Sequence, residues 1–431
     1  MLDLRSISML LVLAAVATAQ DLTPKAKPQT QSIAIIHTTI HPVSSQTIAD
    51  GYVLFEKGKI IEIGQGRKQW QEGVRLVDGE KMHVYPGFIS SYTQLGLTEI
   101  GAVRASRDFN EVGAITPEVR AAVAVNPDST LLPVTRSNGI LTFASFPRGG
   151  TIPGRASLMR MDGWTWEDMA IRADAGMVVN WPAARPPRRR RPRRAAAAET
   201  NRDKTIQRIK DAFEKARAYL KWRGDDATRP VDLRWEGFRK VFTRERPVYF
   251  IANSYEQITE ALVFAGEHKV RAVIVGGHDA PLCAAMLRNM NAGVIVENIH
   301  RFPKRSDSDF DEVYKLPLRL ENAGVTWCLA SGDRTANERN LPYAAARAVA
   351  YGLSRDAAIR AITLNAARVF GVDKELGSID KGKRATLIVT DGDPLEVPTH
   401  VRHAFIDGRE IDLSNKQTVL YEKYKAKYGK N

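Results

Sequence analysis

Two cysteines in 431 residues, Cys283 and Cys328, are too few for a disulfide-stapled scaffold, and neither sits in a CxxC or zinc-finger spacing. They read as two buried thiols, although an oxidising compartment would permit them to pair. No GxGxxG or GxxxxGK[ST] run is present, so nucleotide binding has no support. Acidic charge is short: 49 Asp and Glu face 63 Lys and Arg, for a formal net charge of +14. Half of that excess lies in one segment, Arg185 to Arg194, with seven arginines and no acid. The basicity is therefore local and does not by itself imply nucleic acid.

Long apolar runs are also missing. The longest, Ile7 to Val16, follows a short polar start with Arg5 and precedes Ala17-Thr18-Ala19. This three-part layout predicts a signal peptide over 1–19, cleaved after Ala19 so that the mature chain begins at Gln20. Its run is shorter than the ~18 apolar residues of a membrane span, and no other run comes near that length. The expectation is an exported protein, periplasmic or extracellular, with no transmembrane anchor in the mature chain.

What remains is a chain of folded composition with two textures. A polar lead-in at 20–31 is followed by short β-rich runs broken by Gly and Asp, such as IAIIHTTIH and YVLFEKGKIIEIG, and GSIDKGKRATLIV and HVRHAFIDGREI return to that texture near the end. The spacing predicts one small β-sandwich built from 32–85 and 376–415, then a tail at 416–431. Between them, continuous apolar runs (86–92, 139–146, 176–181, 247–253, 270–277, 292–299, 324–333) alternate with helical patterns at 255–267, 281–290 and 354–370. Such runs suit parallel strands buried on both faces. The fold class is α/β, a (β/α)8 TIM-type barrel over 86–375. Residues 183–204, rich in Arg, Pro and Ala, interrupt it and read as a disordered, solvated insertion whose arginines suit an anionic glycan or lipid headgroup. No aromatic interleaves them, which argues against single-stranded nucleic acid.

Four stretches, GKIIEIG, HVYPGFIS, LSRDAAIRAITLNAARVFGV and GSIDKGKRATLIVTDGDP, resemble in order and spacing the amidohydrolase superfamily, its imidazolonepropionase-like and dihydroorotase-like branches above all. The resemblance runs from about residue 32 to 411. It implies a barrel with a composite sheet domain, and hydrolysis of amide or cyclic-amide C–N bonds in small molecules. One or two divalent metals activate the water in that chemistry. The implied ligands are a His-x-His pair after the first barrel strand, single histidines on the fifth and sixth strands and an Asp on the eighth. Here those positions hold Tyr92 and Gln94, Asn253, Gly276 and Asp333.

Only the Asp is retained, and Tyr, Gln, Asn and Gly are poor substitutes for imidazole on zinc or iron. Tyr92, Gln94 and Asn253 are therefore candidate substrate-binding residues, and Asp333 the candidate acid–base group. No cofactor is expected unless the site has regrouped. His278, His300 and Asp333 are the candidate ligands for zinc in that case, with Asp279, Glu297 and Arg334 on the same rim. Histidines 37, 41, 83, 400 and 403 belong to the sheet texture and read as structural, and the Trp164-Thr165-Trp166 cluster reads as a barrel cover.

Two functions stay open. One is a hydrolase of small amides or cyclic compounds with altered or reduced metal dependence. The other is a catalytically inactive exported binding or assembly protein, as a homo-oligomer or beside an active paralogue. An open polar rim favours the first, a rim filled by Tyr92 and Gln94 the second.

Overall fold

The computed structural model describes residues 23–183, 192–332 and 334–429. The expected signal peptide, most of the arginine run and Asp333 lie outside the described residues. Among the described residues no helix is long and apolar enough to cross a membrane.

Five strands open the chain: β1 (Ile33–Ile40), β2 (Ile48–Glu56), β3 (Lys59–Gln65), β4 (Arg75–Asp78) and β5 (His83–Pro86). Eight follow in the middle: β6 (Phe88–Thr93), β7 (Ile140–Ser145), β8 (Gly154–Arg160), β9 (Ala170–Asn180), β10 (Val248–Ala252), β11 (Ala272–Gly276), β12 (Gly293–Glu297) and β13 (Trp327–Ala330). Three close it: β14 (Leu387–Thr390), β15 (Val401–Ile406) and β16 (Arg409–Glu410).

The terminal strands form one sheet in the order β16-β15-β14-β5-β1-β2-β3, with β4 beside β1. The joint between the two ends of the chain is β14 against β5, antiparallel from Leu387↔Pro86 to Thr390↔His83. This sheet folds over its own core: the rings of Phe55 on β2 and Phe405 on β15, distant in strand order, meet edge to face at 5.1 Å. The sandwich expected from the sequence is thus a single curled sheet, which one continuous hydrogen-bonded ladder is sufficient to build.

The middle strands run in sequence order from β6 to β13. Strands β6 and β13 approach each other without a ladder between them, so the barrel is nearly closed. Alternate residues divide its two faces. Ala144, Phe146, Tyr249, Val273, Val275, Ile295 and Cys328 fill the lumen. Phe250, Ile274, Val294, Val296 and Leu329 face the surrounding helices. Cys283 and Cys328 are both buried free thiols.

Three expectations need correction. β8 was not anticipated, and it runs antiparallel to both β7 and β9, so the barrel is not all-parallel. The pattern at 354–370 is two helices, Arg355–Ala361 and Leu364–Val369, because Thr363 leaves helical geometry at φ −132°, ψ −97°. Ser354 does cap the first, accepting a hydrogen bond from Ala357 N at 3.2 Å. The predicted disordered insertion 183–204 is helical from Pro192, the start of a helix that runs to Arg223. Alanines 195–198 have the highest helix propensity, and Ile209, Ala212, Phe213 and Ala216 form a buried stripe at 3–4-residue spacing that anchors the helix. The tail at 416–431 is likewise helical over Lys416–Tyr428, capped by Asn415.

Candidate functional site at the barrel mouth

In a barrel of this kind the loops at the C-terminal ends of the strands surround the site. Tyr92 stands at the end of β6 and is 7% exposed. Its ring meets Phe146 edge to face at 4.8 Å, and Phe146 meets Tyr249 at 5.1 Å. Tyr92 and Phe146 lie at the C-terminal ends of their strands, and Tyr249, near the start of β10, continues the contact down into the lumen. Burial, with the Glu297 carboxylate adding to it, pushes the Tyr92 hydroxyl up to about 12, against a smaller opposing pull from Arg148. Tyr92 therefore keeps its proton at neutral pH.

Arg148 lies just past β7, its guanidinium 5.8 Å from the centre of the Tyr92 ring. Two ties hold its loop. Arg148 N donates to Phe109 O at 2.7 Å, and Asn180 Nδ2 donates to Gly149 O at 3.0 Å and Gly150 O at 2.9 Å. Glu297, at the end of β12, is pushed above the usual carboxylate range by burial, with Arg148 and Arg301 acting against that shift. A phenol, a guanidinium and a buried carboxyl thus share the mouth.

Gln94 and Asn253 fall on the same rim, and each leaves a buried polar atom without a hydrogen-bond partner, Gln94 Nε2 and Asn253 Oδ1. Gly276 ends β11 at φ +100°, and a Cβ there would stand 2.3 Å from Asn253 Oδ1. Both the left-handed backbone and the Asn253 amide exclude any larger residue.

The four described positions where the resemblance expects metal ligands therefore supply a protonated phenol, two neutral amides and no side chain. This donor set does not fit zinc or iron. Two members of the alternative group, His278 and His300, are among the described residues. His278 is half-buried with Nδ1 unpartnered, and burial followed by Arg301 and Lys304 lowers its pKa to about 3. Those two cations oppose a third positive charge. His300 is exposed on the neighbouring loop, its backbone N donating to Asn298 Oδ1 at 3.0 Å. Among the described residues no three His, Cys, Asp or Glu side chains group as metal ligands. Asp333 lies outside the described residues.

Asp279 serves the fold: it accepts from Tyr255 N at 3.0 Å and from Arg305 at 2.7 Å, tying the helix Tyr255–Glu267 to the loop after β12. Of the tryptophan cluster, Trp164 is 71% exposed, while Trp166 packs half-buried against the main core. Sequence reasoning missed Arg148, Arg107 and Thr98. The first was the most findable, since Phe146-Pro147-Arg148-Gly149-Gly150 directly follows a strand and so must lie at a strand end.

The chain is thus a nearly closed eight-stranded barrel with its rim at the strand ends, joined to a sheet made from both termini. The model of the amidohydrolase family matches residues 306–415. An imidazolonepropionase of Picrophilus torridus is 34% identical over 109 residues, 23% of this chain and 28% of its own length. An N-substituted formamide deformylase of Arthrobacter pascens is 32% identical over 126 residues, 28% of this chain and 23% of its own. The chain thus spans about a quarter of the length of the curated relatives it matches. An amidohydrolase from Thermotoga maritima has a similar fold, with a TM-score of 0.79 at 23% identity over 88% of this chain and 99% of that one. Residues 306–415 thus resemble the amidohydrolase family, and the fold is similar to that of the Thermotoga maritima protein. The matched segment covers β13, the helices after it and the return to the sheet, but none of the strands that end at Tyr92, Asn253 or Gly276.

Proposed function

We propose that this protein binds a small amide or cyclic amide at its barrel mouth without metal-dependent hydrolysis. The observation that carries this reading is the mouth itself. Tyr92, at a position where the resemblance expects a metal ligand, packs against Phe146, and the Arg148 guanidinium lies against Tyr92. A guanidinium carries one fixed charge and cannot lower the pKa of a bound water as a divalent ion does. The relatives named above, an imidazolonepropionase and a formamide deformylase, support the C–N chemistry of the ligand class. On the leader pattern alone we read the protein as exported.

The test is elemental mass spectrometry on the purified chain after expression with zinc, iron and manganese supplied, run beside a turnover assay on small amides and lactams. The expected result is no stoichiometric metal and no turnover. About one tightly held ion per chain, together with turnover abolished by Asp333→Ala, would overturn the reading and restore the hydrolase.

A further inference from the structure

We propose that the outer face of the helix from Pro192 to Arg223 docks on an anionic lipid surface, away from the barrel mouth and independently of what the mouth binds. Ile209, Ala212, Phe213 and Ala216 turn inward. The helical repeat then sends Lys204, Arg208, Asp211, Lys215, Ala218 and Trp222 to the opposite side as one row. The row is about 27 Å long at ~1.5 Å per residue. Lys204, Arg208, Lys215 and Trp222 are all exposed, the tryptophan at 50%.

The charge of this row is free to act outward. Among the described residues Lys204, Arg208 and Lys215 have no carboxylate within ion-pair distance; the ion pairs of this helix are made by Arg202 and Arg223. Asp211 is the one acid in the row, and it accepts a hydrogen bond from Gln207 Nε2 at 2.8 Å. The wider surroundings do not reverse the sign. Residues 201–240 hold twelve Lys and Arg against seven Asp and Glu. Upstream the excess grows, with seven arginines at 185–194 and Glu199 as the acid that follows them. Such cations attract anionic headgroups, an attraction that salt screens.

Charge alone would suit any polyanion, and the apolar side chains at the end of the row favour a bilayer. Beyond Trp222, Val231 is 54% exposed and Leu233 70%. Asp232 N donates to Tyr219 Oη at 3.0 Å, which holds these two residues beside the last turns of the helix. An exposed Val or Leu gains nothing on a glycan or a sugar–phosphate backbone. It is buried where a basic helix lies among lipid headgroups, the depth at which Trp is enriched. The Arg229 guanidinium lies over the Trp222 ring at 5.3 Å, so one face of the ring is closed to a stacking base. Of the acids at this end, Asp226 pairs with Arg229 at 3.0 Å and Glu236 with Arg239 at 2.8 Å. Asp225 and Asp232 are balanced in number by Lys221 and Lys240.

Co-sedimentation of the full chain with vesicles of equal parts phosphatidylglycerol and phosphatidylcholine tests this, with pure phosphatidylcholine vesicles as the neutral surface. Binding to the anionic vesicles is expected to be at least tenfold tighter than to the neutral ones and to weaken as salt rises. The triple variant Lys204→Glu, Arg208→Glu, Lys215→Glu should lose at least tenfold. Trp222→Ser should lose a few-fold, and brominated lipid should quench its remaining tryptophan fluorescence less than that of the parent chain. Unchanged thermal melting of both variants shows that they fold. An absence of binding to the anionic vesicles, equal binding to the neutral ones, or a triple variant that binds as the parent does would each overturn the inference. So would tighter binding to duplex DNA or to heparin than to the anionic vesicles.

Discussion

At the end of the barrel next to the terminal sheet, Asp162 is 2% exposed and accepts three hydrogen bonds from distant parts of the chain. They come from Ala26 N at 3.3 Å, Arg136 at 3.2 Å and Arg409 at 2.8 Å. At the opposite end, Gln94, Thr98, Glu99 and Asn253 each leave a buried polar atom with no partner. One end commits its polar groups to holding the fold, and the other seals these four atoms away without a partner. An unsatisfied buried group costs stability.

The largest expected effect is at the sheet end. Asp162→Ala leaves Arg136 buried with its carboxylate gone, and such a loss destabilises by about 3–5 kcal/mol. Urea unfolding monitored by tryptophan fluorescence measures it. A loss below ~1 kcal/mol would remove the contrast between the two ends.

Acid sharpens the comparison next, because His41 in the terminal sheet and His278 at the mouth are both depressed, as is His268 on the barrel wall. Burial, then His83, lowers His41 to about 4 at the sheet end, and His278 at the mouth falls to about 3. Both stay neutral in the fold while the unfolded chain takes up protons below pH 6.5. Their contribution to stability is therefore complete above pH 6.5 and is lost as pH falls toward 4 for His41 and 3 for His278. Urea midpoints at pH 7, 5.5 and 4.5 should decline, and His278→Gln should flatten the decline. An unchanged slope in that variant would show that the mouth does not contribute to it.

The smallest effect has the opposite sign. Gln94→Met and Asn253→Leu remove amides whose buried atoms have no partner, so each should be neutral or stabilising by up to about 1 kcal/mol in thermal unfolding. A loss of more than ~1 kcal/mol in both would mean that these amides hold the fold after all, as Asp162 does.

Much of the fold was legible in the sequence. Strands β7, β10, β11 and β12 lie within the apolar runs at 139–146, 247–253, 270–277 and 292–299, because a strand buried on both faces leaves an unbroken apolar signature. β8 gave no such signal, since it begins and ends near Arg155 and Arg160. Their charges are taken up from far away, by Asp174 at 2.7 Å and Asp407 at 2.6 Å. Polar residues neutralised by remote partners read locally as loop. The helix from Pro192 was obscured in the same way, by prolines and arginines that precede its buried stripe.

The site divides similarly. Tyr92, Gln94 and Asn253 could be placed because the family resemblance sets its ligand positions at fixed offsets from barrel strands. The sequence by itself determined the barrel and the shared sheet, which follow from local periodicity and residue type, while the rim positions came from the resemblance. Only the tertiary structure decided that Tyr92 packs against Phe146. It alone brought Arg107, Arg148 and Gln94 around one cavity, with Thr98 and Glu99 unpartnered beside them. Those meetings depend on the loop after β6 folding back onto the loop after β7, as in the Arg148 N to Phe109 O hydrogen bond. Contacts between loops far apart in the chain leave no periodic trace in it.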